Sequence, residues 1–178
     1  TSLLVFIMSL FLWLQFDNTT KDFQFVENKK WIVDFINYRV GVDGISILFV
    51  VLTAFITPIC IVATYNSVTN RTKDFFIALL VMETMMLGVF CSLDLFIFYL
   101  FFEAGLIPMF LIVGIWGGIR RVYAAFKFFL YTLFGSVFML VAIIFIYLET
   151  GTTDIQTILS FNIDQKYQYW LWLGFFAS

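Results

Sequence analysis

The chain has 178 residues, 62% hydrophobic and 12% charged, with a formal net charge of −2 and no histidine. A soluble domain is nearer half apolar and a quarter charged, so this composition belongs to an integral membrane protein. The near-neutral charge speaks against nucleic-acid binding.

The apolar runs are long and lack the period-two alternation of a transmembrane barrel. The expected fold is therefore all-α, a single polytopic transmembrane helix bundle over residues 1–178 with lipid around it. The two cysteines, Cys60 and Cys91, sit apart in apolar runs and fit no zinc or iron–sulfur spacing, so they read as core fillers. With histidine also missing, no metal or redox cofactor is expected in this chain.

In chain order, Thr1–Phe16 is apolar but short for a span and reads as the exit half of a helix. Asp17–Val40 is the longest polar stretch, with Lys21, Lys29, Lys30 and Arg39 against Asp17, Asp22, Glu27 and Asp34. Phe23, Phe25 and Trp31 are interleaved, so it reads as a surface loop with a short strand-like piece at Phe23–Phe25 and an interfacial aromatic anchor. Gly41–Tyr65 is the first full span. Asp43 stands at its entrance as a cap or headgroup-level residue, and Pro58 is expected to kink it. Phe75–Cys91, Asp94–Trp116 and Val122–Leu148 are three further spans, and Tyr169–Ser178 begins another. Between them, Glu149–Gln168 is a polar loop with Asp154, Asp164 and Lys166, in which Ile158–Phe161 reads as a short amphipathic turn lying flat.

That pattern amounts to four complete helices and two partial ones. Because the chain begins and ends inside apolar runs, it is expected to be a fragment or one part of a split subunit. The short loops bearing Arg71, Lys73, Arg120 and Arg121 share one side. By the positive-inside rule that side faces the cytoplasm or matrix.

Three ionisable residues fall within spans. Glu103 lies near the middle of Asp94–Trp116, where a charge costs about 2.5–3.5 kcal/mol on insertion scales and rarely stays without a partner or a wet cavity. Glu83 is about as far from the Ser92–Asp94 turn as Glu103, on the antiparallel neighbour, so the two acids should sit at similar depth. If both face inward they share a cavity. Glu83 reads equally as a structural acid bonded to Thr84 or Ser136. Lys127 reads either as a relay or as a cation snorkelling to the basic side. A buried acid whose neighbouring cation can approach or withdraw is a switchable proton site. Gly105, Gly135 and Ser136 are expected to let helices approach closely; Met82, Met85 and Met86 read as packing.

The stretches Leu93–Gly117 (LDLFIFYLFFEAGLIPMFLIVGIWG) and Ala124–Ile143 (AAFKFFLYTLFGSVFMLVAI) closely resemble subunit 4 of respiratory complex I, the mitochondrial proton-pumping NADH:ubiquinone oxidoreductase. The resemblance extends through WLQFDNTTKDFQFVE, GVDGISILFVVLTAFITPICI and ETGTTDIQTIL. It implies an antiporter-like subunit of the membrane arm in the mitochondrial inner membrane, with its basic loops facing the matrix and no flavin, cluster or nucleotide of its own. Its partners would be other membrane-arm subunits and a second chain carrying the remainder of the subunit. The resemblance makes Glu103 the proton-transfer glutamate, paired with a lysine on a later helix beyond Phe175–Ser178 (FFAS). It implies no role for Lys127. The alternative is a scaffold subunit of the arm without its own proton path; a free-standing ion antiporter is a third reading.

Overall fold

A computed structural model describes residues 1–17, 19–20, 22–33, 36–161 and 164–178. Among them run α1 (Ser2–Gln15), β1 (Gln24–Val33), β2 (Ile36–Val42), α2 (Ser46–Thr64), α3 (Thr72–Cys91), α4 (Leu95–Trp116), α5 (Arg121–Thr150), α6 (Ile155–Ser160) and α7 (Gln165–Phe176). Lys21 and Asp34, and the side chains of Lys30 and Trp31, lie outside the described residues. The helices α2 to α5 are long and apolar enough to cross a membrane, whereas α1 is apolar but shorter.

The helices form a row in which neighbours in sequence are neighbours in space: α1 on α2, α2 on α3, α3 on α4, α4 on α5, and α5 on α7. From α2 to α5 short connections impose this order, because an antiparallel partner is the first apolar surface a helix meets. Glycine sets how closely α3 and α4 approach. A Cβ on Gly88 would lie 2.5 Å from the Phe101 ring, so that ring occupies the missing side chain's place. Gly135 does the same for α7, since a Cβ there would meet the Ala177 carbonyl oxygen at 2.6 Å. The close approach expected at Gly105 is looser, with Met85 Cβ at 3.7 Å from a Cβ built there.

The polar stretch before α2 corrects the loop expectation. It is a two-stranded antiparallel hairpin, β1 on β2, with register shifts between Gln24 and Glu27 and between Lys30 and Val33. Its Lys, Asn and Glu residues favour neither strand nor a buried face, so no period-two signal stands out. Phe25, next to the first shift, has φ 54, a left-handed conformation uncommon outside glycine. Other elements differ in their ends. The helix expected from Phe75 begins at Thr72, Val122–Leu148 extends to Arg121–Thr150, and the flat turn at Ile158–Phe161 is the end of α6. Gly151, at φ 71, closes α5 in the left-handed conformation that glycine tolerates.

Asp43 is the cap expected at the entrance to α2. Its Oδ1 accepts from the Ser46 amide at 2.6 Å, and its own amide donates to the Ser46 hydroxyl at 2.9 Å. Burial alone would raise this carboxyl, but the bonds from Ser46 and Ile45 outweigh it and hold it below the usual carboxylate range. A depressed carboxyl contributes stability that is complete above the ordinary range and lost as pH falls through the folded value. Asp43→Ala should therefore cost about 1 kcal/mol at neutral pH. Thermal unfolding of the purified protein in detergent should show the gap to the parent closing on acidification. A gap that widens there would contradict the capping role.

Candidate functional site

The α4 sequence LFIFYLFFEAGLIPMFLIVGIW places Glu103 ninth of 22 residues. Two faces of α4 can be separated by their contacts. Phe101 and Gly105 face α3, through Gly88 and Met85. Phe110 packs edge-on against Phe126 and Phe129 of α5, and Gly114 meets Ala125 of α5. Glu103 is seven residues before Phe110 and eleven before Gly114, spacings that return to one helix face, so it belongs to the α5 side. Tyr99, one turn earlier, is on that side too, and its phenol interacts with both Glu103 and Ser136 of α5. Ser136 is fully buried and its hydroxyl donates to the Leu133 carbonyl at 3.0 Å. Glu103 itself is partly buried, and its Oε1 is buried with no hydrogen-bond partner. Pro108 leaves the Ala104 carbonyl without its helical donor, one residue beyond the acid.

Glu83 occupies a different interface. Positions 76, 83 and 90 recur at seven-residue spacing on α3. Phe76 stacks with Tyr65, and Phe90 with Phe49, both from the α2 side. Glu83 therefore faces α2, near the level of Pro58, and is 4% exposed with an unpartnered Oε1. The condition set for a shared cavity between Glu83 and Glu103 is not met by this geometry: the acids are at similar depth but belong to opposite sides of the α3–α4 pair. Nor does either hydroxyl weighed for Glu83 bond to it, since Thr84 donates to the Leu80 carbonyl at 2.9 Å and Ser136 to Leu133.

Lys127 is exposed on the outer face of α5, with its Nζ 5.9 Å from the centroid of the Tyr123 ring. It is nine residues from Ser136, half a turn out of phase, so it looks away from Glu103.

A second polar cluster ties the ends of the helices together on the side away from the short basic loops. The Leu93 amide donates to the Arg39 carbonyl at 3.0 Å, Leu95 to Thr153 at 2.9 Å, and Ile155 to Leu93 at 3.1 Å. Side chains reinforce these links. Asp94 is 2% exposed; its Oδ1 takes the Phe96 and Ile97 amides and its Oδ2 the Thr153 hydroxyl at 2.5 Å. Arg39 Nη1 meets Asp154 Oδ1 at 2.6 Å and Nη2 meets Gln156 Oε1 at 2.5 Å. Burial pushes the Asp94 carboxyl up and the nearby Asp154 adds to it, against the bonds from Thr153, Ile97 and Phe96. Gly41 permits the crossing, because a Cβ there would lie 2.8 Å from Leu93 Cδ1. In the sequence Asp94 reads only as part of a turn, although an aspartate just before an apolar span is a usable N-cap signal for this cluster.

Residues 1–91 match the family model of NADH-ubiquinone oxidoreductase chain 4, amino terminus. The chain belongs to that family. Residues 92–178 match the family model of the NADH:quinone oxidoreductase/Mrp antiporter transmembrane region. The chain 4 of Marchantia polymorpha is 52% identical over 100% of this chain, and subunit M of the NADH-quinone oxidoreductase of Rhodobacter capsulatus is 52% identical over 99%. The chain spans 36% and 37% of the length of these relatives. Among solved structures, a chain of respiratory complex I from Thermus thermophilus with bound NADH superposes with TM-score 0.84 at 31% identity, covering 99% of this chain and 37% of that one. A chain of the Mrp complex from Dietzia shares the fold, with TM-score 0.84 at 16% identity over 97% of this chain and 19% of that one. The polytopic, antiporter-like helix bundle is thus the family's architecture.

The facing assignment has a direct check. In a background without Cys60 and Cys91, oxidative cross-linking should join Glu83→Cys to Thr57→Cys on α2 and should fail to join Glu83→Cys to Glu103→Cys. Efficient bridging of 83 to 103 would restore the shared cavity.

Proposed function

We propose that this chain is part of an antiporter-like membrane-arm subunit of respiratory complex I in the mitochondrial inner membrane. It takes part in proton translocation coupled to NADH oxidation and ubiquinone reduction elsewhere in the complex. The observation that carries the reading is Glu103: a carboxyl in a membrane-crossing helix whose Oε1 is buried and unbonded, facing a neighbouring helix rather than lipid. An acid held that way is sensitive to any cation brought near it, because an opposite charge favours its ionised form and desolvation disfavours it. An amide could not release the proton, so the carboxyl is the required group. A purely structural role would have no use for an acid with one oxygen left unbonded at that depth.

Tyr99 and Ser136 extend polarity from Glu103 to α5. The last turn of α7 lies on the same stretch of α5, with Ser178 Oγ 3.6 Å from Met139 Sδ. A cation delivered along that line, from a segment or chain that completes the bundle, would set the proton affinity of Glu103. Glu83, on the α2 interface, is a separate helper. Lys127 has no part in the pair. Other membrane-arm subunits and lipids surround the bundle, the loops of Arg71, Lys73, Arg120 and Arg121 face the matrix, and the redox centres belong to other chains.

The test is Glu103→Gln in the assembled complex. Assembly and NADH oxidation with an artificial acceptor should be unchanged, while proton pumping coupled to quinone reduction falls about tenfold or more, the equivalent of at least about 1.4 kcal/mol of barrier. Pumping near the parent rate would rule the role out.

A further inference from the structure

The junction of Arg39, Asp94, Thr153 and Asp154 stands apart from Glu103 yet controls the helix that carries it. Thr153 holds the start of α4 twice, by its carbonyl to the Leu95 amide and by its hydroxyl to Asp94 Oδ2. Thr153 follows the last turn of α5, so these two bonds fix the beginning of α4 to the end of α5. Arg39, brought in by β2, locks the same connector through Asp154 and Gln156, and Asp154 in turn caps α6 through the Thr157 amide and hydroxyl. Asp94 is nine residues, or roughly 14 Å of helix, from Glu103. Between them the helix is uninterrupted. Beyond Glu103, Pro108 breaks the backbone ladder. The turn bearing Glu103 is therefore stiffly connected to the junction and only loosely to the other end of α4.

We infer that this junction positions Glu103: it sets the depth and rotation of α4 against α5 and so decides where the carboxyl lies relative to Tyr99 and Ser136. Asp94 and Thr153 are positioning residues for proton transfer, and Arg39 holds the connector they grip. The inference rests on the proposed role of Glu103. It does not require Asp94 to exchange protons in turnover. Among the described residues, Tyr99 on α4 and Ser136 on α5 are polar groups on the side to which Glu103 turns, with Thr132 one turn from Ser136 on the same face of α5; Glu83 belongs to the α2 side of α3, and Lys127 to the outer face of α5. Displacing α4 would change the contact of the acid with the Tyr99 and Ser136 hydroxyls and with it the pH at which the acid works.

The experiment compares Asp94→Ala, Asp94→Asn and Thr153→Val in the assembled complex, with coupled proton transport measured against pH and normalised to the amount of assembled complex. Asp94→Ala should lower the rate several-fold and displace the pH profile. Thr153→Val, which removes one hydroxyl and leaves the backbone link, should do both to a smaller degree. Asp94→Asn should restore both, because its amide oxygen still accepts the two amides and its nitrogen can donate to Thr153. A merely structural defect would reduce assembled complex without moving the profile of what assembles. Parent-like rate and profile in Asp94→Ala and Thr153→Val would overturn the inference, as would an Asp94→Asn variant no better than Asp94→Ala. Should Asp94→Ala fail to assemble, Thr153→Val decides alone. Glu103→Gln run in parallel separates the two claims: junction variants without effect beside a dead Glu103→Gln sink only the positioning role, whereas a fully active Glu103→Gln sinks the function itself.

Discussion

Lipid hydrocarbon offers a carboxyl group nothing to bond to, and this deficit organises the chain. Glu103 and Glu83 each have a buried oxygen without a partner, on helices whose other residues are overwhelmingly apolar. Such an oxygen is tolerated only where protein, not lipid, surrounds it. The row of helices supplies that cover: α3 and α5 flank α4, and α2 and α4 flank α3. Gly88 makes room for the Phe101 ring and Gly135 for the backbone at Ala177, in an environment where association relies on packing rather than on a hydrophobic drive between helices.

The two ends of the row are built differently. At the basic end the helices meet through ring packing, Phe75 on Trp116 and Tyr65 on Phe76, and through two single hydrogen bonds: the Trp116 indole donates to the Asn70 carbonyl at 2.7 Å, and Arg121 to the Ile115 carbonyl at 2.8 Å. At the opposite end, the hairpin, the α3–α4 turn and the connector after α5 are stitched by backbone bonds, an ion pair and a buried aspartate. With Pro108 in α4 and Pro58 in α2, each proline helix has an interrupted ladder.

Much of the fold was legible in the sequence because bilayer thickness forces a length and an apolar composition on every span. The Ser92–Asp94 turn and the place of Glu103 in mid-span follow from that pattern. The hairpin was not legible, since a polar ribbon with register shifts shows no alternation. The direction of Glu83 escaped for another reason. Counting residues from a turn gives depth, but azimuth comes from which neighbour each face meets, and only the Phe76–Tyr65 and Phe90–Phe49 pairs resolve it. The Arg39–Asp154 pair joins residues too far apart in sequence for any local rule to connect. Lys127, ambiguous in the sequence, is exposed on α5, which its position in the chain did not disclose.

The central claim is that Glu103 changes its protonation as the complex turns over. Redox-induced infrared difference spectroscopy of the assembled complex, parent against Glu103→Gln, measures this directly. The account predicts a protonated-carboxyl band in the parent spectrum, shifted in deuterium oxide, that is missing from the Glu103→Gln spectrum while the other carboxyl bands persist. Superimposable carboxyl regions in the two spectra would contradict it.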